Sequence, residues 1–414
     1  MRQIARIAFI VLLLTLLTNS GAFGAGFAVY NFSARGNALG GAMIGRADDP
    51  STLATNPAGM TQIPGTGFMT TIGFLMPGGT VIENASGIAV NQRDKTFVLP
   101  SMYYTRQMNE NTWLGIALMT RFGLGTDFPA DWFGRYNSYR AMLQSISVNP
   151  NIAWKVNDAL SVSLGVEALW MEADLRRKVD LTRGQAPNPA TDMDLRLLGD
   201  DIGYGWNLGL HYTVDEATRI GLHYRSRINM ALSGTATAAT PLASDSAGAN
   251  VDITLPEMFM FGISRQLSPK LNVEAGAIYT GWKTYDSVTI NFDKPLFGVL
   301  PTRSFTEKNW SSVWRYQLGF EYQHTPEWTW RFGYTYDQEP IPLAHIDYQA
   351  PSDDRHLLSI GFGYTKNDRS WDFAYTYLVS GERSISARPG EGVLDSRTRN
   401  MDVNIFMLSY SVRF

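Results

Sequence analysis

From about residue 66 onward the chain alternates. In residues 328–336 every second position is a large aromatic (Trp328, Trp330, Phe332, Tyr334, Tyr336), with Thr329, Arg331, Gly333 and Thr335 between them. In residues 161–170, Val162, Leu164, Val166, Ala168 and Trp170 share one parity, and Ser161, Ser163, Gly165 and Glu167 hold most of the other. Trp314, Tyr316, Leu318, Phe320 and Tyr322 likewise oppose Arg315, Gln317, Gly319 and Glu321, and "GYGWNLGLHY" at 203–212 repeats the pattern. Side chains along a strand alternate between its faces, so a period of two predicts strands with one greasy face and one small or polar face. Strands of soluble proteins usually run to about 5–6 residues. These run to about ten, the length of a tilted strand that crosses a bilayer.

Candidate strands begin near 66, 96, 111, 143, 159, 203, 217, 250, 270, 311, 327, 354, 370 and 401, which makes fourteen. Short turns such as "QMNEN", "KVNDA", "TVDEA" and "QLSPK" follow the even strands. Long connections, such as 174–202, 232–249, 284–310 and 382–399, follow the odd ones. Bacterial outer-membrane barrels have an even strand count, short periplasmic turns and long outer loops. A soluble sandwich, with its greasy faces turned inward, has no reason to alternate its loop lengths. The expected fold is all-β: a 14-stranded antiparallel transmembrane β-barrel over 66–414, its polar face lining a lumen.

The two ends extend this picture. Arg2 and Arg6 precede the apolar run "IAFIVLLLTLL", and Ala22 and Gly24 stand at positions −3 and −1 of a cut before Ala25. That is the pattern of a secretory signal peptide over 1–24. Residues 25–65 do not alternate; they are rich in Gly, Ala, Asn and Asp, with Arg35, Arg46, Asp48 and Asp49 as the charges. A barrel of fourteen strands is wider than the eight-stranded kind that side chains alone fill. The segment 25–65 is therefore expected to fold into the lumen as a hatch, or plug. In the last strand Phe406, Leu408, Tyr410, Val412 and Phe414 share one parity. That strand must pair with the first to leave no edge, which puts Phe414 in the periplasmic aromatic girdle. A strand ending in Phe also resembles the assembly signal of bacterial outer-membrane proteins. The expected location is the outer membrane of a Gram-negative bacterium, and the expected partners are the barrel-assembly machinery, through Phe414, and outer-membrane lipid with lipopolysaccharide.

Composition narrows the chemistry. The chain has no cysteine, hence no disulfide, thiolate metal site or cysteine nucleophile. A net charge of −3 gives no footprint for nucleic acid. The histidines are His211, His223, His324, His345 and His356. None lies in a Gly-x-Ser-x-Gly elbow, and no His-Glu-x-x-His spacing occurs. An enzyme such as an outer-membrane lipase is not expected, nor is a metal or a cofactor. His211 and His223 share lumen parity, where a hydrogen-bonded structural role is expected. The lumen charges Arg315, Glu321 and Arg331 suit the water of a general porin, and equally suit salt bridges that anchor a hatch. A monomer is expected.

Several short motifs carry a resemblance. "AGF" at 25–27, "NPAGM" at 56–60, "GYGWNLGLHY", "HYRSRINMALSG", "LPEMFMFG", "YTGWKTY", "YDQEPIP" followed by "PSDDRHLLSIGFGY", and the terminal Phe resemble the FadL family. That family comprises outer-membrane transporters of long-chain fatty acids, with TodX-type relatives that take up aromatic hydrocarbons. The match spans nearly the whole mature chain. The resemblance implies a ligand that lands in an outer groove and moves to a deeper apolar pocket. It then leaves sideways through a gap in the barrel wall, by passive diffusion. Phe27 corresponds to a hatch residue that meets ligand in the inner pocket. Arg177 aligns with a basic residue that meets the fatty-acid carboxylate; read alone it is a charge in the loop run "RRK". The family's second basic contact aligns near Ser311, and Lys308 is the candidate replacement. Gly123, following Phe122, matches the position where the third strand kinks; read alone, Gly123 and Gly125 begin a loop. Asn56, Pro57 and Ala58 are expected on the hatch beside that kink. The loops 126–137 and 292–301, rich in Phe, Leu and Pro, are candidates for the outer groove. Burial energy is non-directional, so the apolar residues leave fatty acid and aromatic hydrocarbon both open.

Overall fold

The computed structural model describes residues 26–182, 188–298 and 300–414; the expected signal peptide lies outside them. Fourteen antiparallel strands close into one barrel. They are β1 (Thr66–Pro77), β2 (Phe97–Asn109), β3 (Thr112–Met119, resuming over Leu124–Asp127), β4 (Arg140–Lys155) and β5 (Leu160–Val179). Next come β6 (Met193–Thr213), β7 (Thr218–Arg225 and Ile228–Ala239), β8 (Ser244–Leu255 and Met258–Ser268) and β9 (Leu271–Thr280 and Ser287–Phe292). The series ends with β10 (Arg303–Glu307 and Val313–Gln323), β11 (Trp328–Asp337), β12 (Arg355–Lys366), β13 (Arg369–Ser380) and β14 (Val403–Arg413). Each pairs with its neighbour, and β14 returns to β1 in register from Gly67↔Arg413 to Pro77↔Val403. Backbone bonds between Thr66 and Phe414 finish the seam.

The faces follow the alternation of the sequence. Along Val313–Gln323 the odd positions are buried through Gly319, while Trp314, Tyr316, Leu318, Phe320 and Tyr322 are exposed. On β11 the exposed residues are again the aromatics, and Thr329, Arg331 and Thr335 are buried. Apolar outside and polar inside inverts the soluble arrangement and fits a lipid solvent.

The connections expected as long loops prove to be largely strand. β5 runs to Val179 and β6 begins at Met193, ten residues before the sequence pattern suggests; 232–249 lies within the β7–β8 hairpin, and 284–310 holds the outer halves of β9 and β10. Above the bilayer no lipid selects apolar residues on the outer face, so these extensions lose the aromatic alternation without losing the ladder. Four short strands (Thr80–Glu83, Ala89–Asn91, Ser384–Ile385, Ser396–Arg399) form a separate sheet from the β1–β2 and β13–β14 connections.

Residues 26–65 lie within the barrel. A helical turn α1 (Ala34–Ala38), capped by Ser33, precedes α2 (Thr52–Thr55) and a 3-10 turn, Pro57–Gln62. Nearly all of this segment is buried. Strand glycines on the inner face let its backbone approach: a Cβ on Gly319 would meet the Leu39 carbonyl at 2.7 Å, and one on Gly262 the Gly45 nitrogen at 2.7 Å. Its charges meet lumen charges. Arg35 bonds Asp48 (2.7 Å) and Glu321 (2.9 Å); Glu321 also accepts from Arg46 (2.5 Å) and Arg331 (2.6 Å), and Arg331 reaches Asp372 (2.6 Å). His211 Nε2 lies 3.0 Å from the Gly45 carbonyl, the structural role expected for an interior histidine.

Candidate functional site

Strands β3, β9 and β10 break beside the start of the N-terminal segment. In β3, residues 120–123 leave the ladder and pair with that segment instead: Val29 N–H donates to the Arg121 carbonyl (2.8 Å) and Gly123 N–H to the Phe27 carbonyl (2.8 Å). The Ser145 hydroxyl of β4 takes the place of a ladder partner, accepting from Phe122 N–H (3.1 Å) and donating to its carbonyl (2.7 Å). Arg121 is held by Glu167 (2.6 Å), which also accepts from Arg225 (3.1 Å). The β9–β10 ladder opens between Thr280↔Val313 and Ser287↔Glu307. The residues between, Gly281–Asp286 and Lys308–Ser312, bulge together, with Lys308 and Asn309 N–H groups donating to the Asp286 carbonyl (2.8 Å each).

These breaks converge on Phe27. Its ring meets Trp282 (4.5 Å between centroids), Tyr285 (5.4 Å), Trp310 (5.6 Å) and Phe122 (6.0 Å), mostly edge to face. Such contacts contribute about 0.5–1.5 kcal/mol each beyond burial. Above this cluster lies an apolar cavity of about 80 Å³, lined by Phe27, Leu124, Leu143, Leu175, Val251, Tyr285, Trp310 and Ile341 among others. A second cavity of about 240 Å³ opens toward the long-loop end and includes Arg177, Phe292, Phe305 and Glu391. A third, about 50 Å³ and almost wholly apolar, lies between β5 and β9. Leu175 and Ile290 line all three, so the cavities share walls from the outer groove to the Phe27 cluster.

Two cations sit at this site in different states. Arg177 lines the outer groove; its neighbours in "RRK" are paired, Arg176 with Asp174 and Lys178 with Asp194, whereas Arg177 has no ion pair among the described residues. Lys308 lines the inner cavity and is buried, with Nζ 2.7 Å from Asp347 and 3.3 Å from the Gln349 side chain. Burial works against its charge, but Asp347 outweighs burial and holds the ammonium above the ordinary lysine range.

The expected residues thus separate. Phe27, Phe122, Gly123 and Lys308 come together, and Arg177 stands in the groove whose far wall they approach. Asn56, Pro57 and Ala58 lie elsewhere on the segment: the Asn56 amide donates to the Ile44 (3.1 Å) and Leu210 (3.0 Å) carbonyls, against β6, while it is residues 27–29 that pair with the β3 kink. Trp282, Tyr285, Trp310 and Asp347 were not singled out from the sequence. A signal existed for the first two: "TGWKTY" interrupts β9 with polar and aromatic residues out of phase with the alternation.

The break in β3 also opens a seam. The β2–β3 ladder reaches the Met102↔Leu118 pair and stops, while β2 continues to Phe97 on β1. Beyond the kink β3 pairs with β4. The Phe97 ring packs against Gly125 across this seam.

Comparison with known proteins matches residues 15–414 to the family model described as outer membrane protein transport protein (OMPP1/FadL/TodX). The chain belongs to this family. Its relatives include the long-chain fatty acid transport protein of Escherichia coli O6:H1, 25% identical with 91% of each chain covered. Outer membrane protein P1 of Haemophilus influenzae is 29% identical, with 88% of each covered. Among solved structures, a FadL homologue of Pseudomonas aeruginosa superposes with a TM-score of 0.85 at 20% identity, covering 94% of this chain and 99% of that one. The P. putida toluene transporter TodX does so with a TM-score of 0.74 at 17% identity, covering 93% and 99%. These structures share the closed barrel. The family places the chain in the outer membrane of Gram-negative bacteria.

Proposed function

We propose that this member of the family carries hydrophobic compounds, long-chain fatty acids foremost, across the outer membrane without chemical change. The reading rests on one observation above the rest: apolar cavities share walls from an outer groove to the Phe27 cluster, which packs on the kink of β3 beside the break in the β2–β3 ladder. Ligand enters the groove, its carboxylate on Arg177, the cation without an anion of its own among the described residues. A carboxylate leaving water needs such a partner, because an unpaired charge is costly to bury. The acyl chain passes Leu175 and Ile290 into the inner cavity. Movement of residues 26–29 with the β3 kink then opens the β2–β3 seam, and ligand leaves sideways into the membrane. Nothing in this route consumes energy; the gradient drives it. The N-terminal segment acts as the hatch, residues 1–24 as a cleaved signal peptide, and the Phe414 strand as the contact for barrel assembly.

A second reading, an aromatic-hydrocarbon channel, is favoured by the pairing of Lys308 with Asp347, which leaves the inner cavity without a free cation among the described residues. The test is equilibrium binding of radiolabelled oleate to the detergent-solubilised barrel, with toluene as competitor and Arg177→Ala alongside. Saturable oleate binding that weakens about tenfold in Arg177→Ala supports fatty-acid transport. Toluene binding with no oleate binding moves the assignment to hydrocarbon uptake.

A further inference from the structure

The connection between β11 and β12, residues 338–354, does not project outward. It folds over the barrel mouth, with Ile341, Ile346, Tyr348 and Ala350 buried. Side chains from the β13–β14 connection hold its main chain: Arg388 donates to the Ile346 carbonyl (2.6 Å) and Arg383 to those of Ser352 (2.7 Å) and Ile341. Toward the lumen, it is fastened by Asp347 on Lys308. Asp347 and Gln349 line both the outer groove and the inner cavity, so this fastening stands at the partition between them.

We infer that Asp347 is an internal carboxylate that occupies Lys308 until a ligand carboxylate takes its place, and that this exchange loosens the lumen side of residues 338–354 and opens the partition. The inference rests on the transport reading above and extends it to selectivity. Three features carry it. The exchange is charge for charge, so the buried ammonium is never left unpaired, the state that makes breaking a buried ion pair so costly. Asp347 has a second partner in place: its other oxygen already accepts the Gln349 N–H (3.0 Å), and its side chain lines the outer groove as well as the inner cavity. A neutral hydrocarbon offers Lys308 nothing to exchange and leaves the fastening closed. A fatty acid bound first at Arg177 thus meets a second cation only by releasing the connection that separates it from the inner cavity.

The experiment uses the full mature barrel. With no cysteine in the native chain, a spin label at Leu343→Cys, an exposed site on the same connection, reports its mobility alone. Oleate is expected to mobilise the label, and oleyl alcohol, the same chain without the charge, is not. In binding assays Asp347→Asn is expected to tighten oleate about tenfold by freeing Lys308, with toluene unchanged, and Lys308→Met in that background is expected to remove the gain. Oleate that binds without mobilising the label, or an Asp347→Asn barrel whose affinities for oleate and toluene shift together, would overturn the exchange and leave the pair as a strut. Failure of the native barrel to bind either oleate or toluene would instead remove the transport reading, and the exchange with it.

Discussion

Gly26 and Phe27 work as a pair. Gly26 adopts φ +61, and a Cβ there would meet Trp310 at 2.5 Å and Trp282 at 2.9 Å. A left-handed backbone costs a non-glycine residue about 1–2 kcal/mol, and here two indole rings stand in the way as well. Gly26→Ala is therefore expected to push Phe27 out of its aromatic cluster. The measurement is ligand affinity beside the heat-dependent gel shift of the barrel: affinity should fall at least several-fold while the gel shift persists, since the strand ladders are untouched. Equal affinity in a folded Gly26→Ala barrel would show that the Phe27 position does not shape the cavity. In sequence the glycine stood within the "AGF" of the resemblance, with nothing to say what conformation it must adopt. Its requirement comes from Trp282 and Trp310, more than 250 residues away in sequence.

At the scale of the element, β3 is the strand that departs from its own pattern. Thr112–Met119 obey the barrel alternation; residues 120–123 turn to the N-terminal segment, and the strand resumes at Leu124. The seam left against β2 is filled by Phe97 on Gly125. Phe97→Ala is expected to loosen the seam and raise the rate at which cells take up a labelled fatty acid. It should also lower thermal stability, by about 3–5 kcal/mol for a buried Phe truncated to Ala. Gly123→Val is expected to act the other way, slowing uptake with the barrel still folded. Uptake that stays at the native rate in both well-folded variants would count against the seam as the exit. Gly123 was readable as a kink through resemblance. Phe97 was not, because in sequence it is simply the first apolar residue of a strand, and its partner across the break is not its ladder neighbour.

At the scale of the whole molecule, the N-terminal segment lies inside the barrel and a charge network ties it to the wall. Glu321 accepts from Arg35 and Arg46 of the segment and from Arg331 of the wall. Glu321→Gln leaves three arginines with one carboxylate fewer, and loosening a buried cluster in this way commonly costs about 3–5 kcal/mol. Single-channel recording in planar bilayers is the check. The native barrel is expected to conduct ions poorly, and Glu321→Gln is expected to show larger or more frequent openings. A high, steady conductance in the native protein would instead describe a water-filled porin.

The sequence by itself determined the barrel. Lipid demands an apolar outer face at every second residue and a closed ladder with no edge, and both demands are written locally, strand by strand, in the aromatic alternation and the spacing of the turns. The strand count and the pairing of β14 with β1 follow from that periodicity and from the need to leave no edge. The outer extensions of β5 to β10 did not show, because above the membrane no solvent enforces the pattern. The inner site was decided by the tertiary structure alone. Phe27, Trp282, Tyr285 and Trp310 meet because β3 and the β9–β10 ladder break beside the same stretch of the N-terminal segment, and Lys308 faces Asp347 because a connection folds inward rather than out. Arg177 and its neighbours in "RRK" are three like charges in sequence. Only the fold, by supplying Asp174 and Asp194 to two of them, leaves the third without an anion among the described residues.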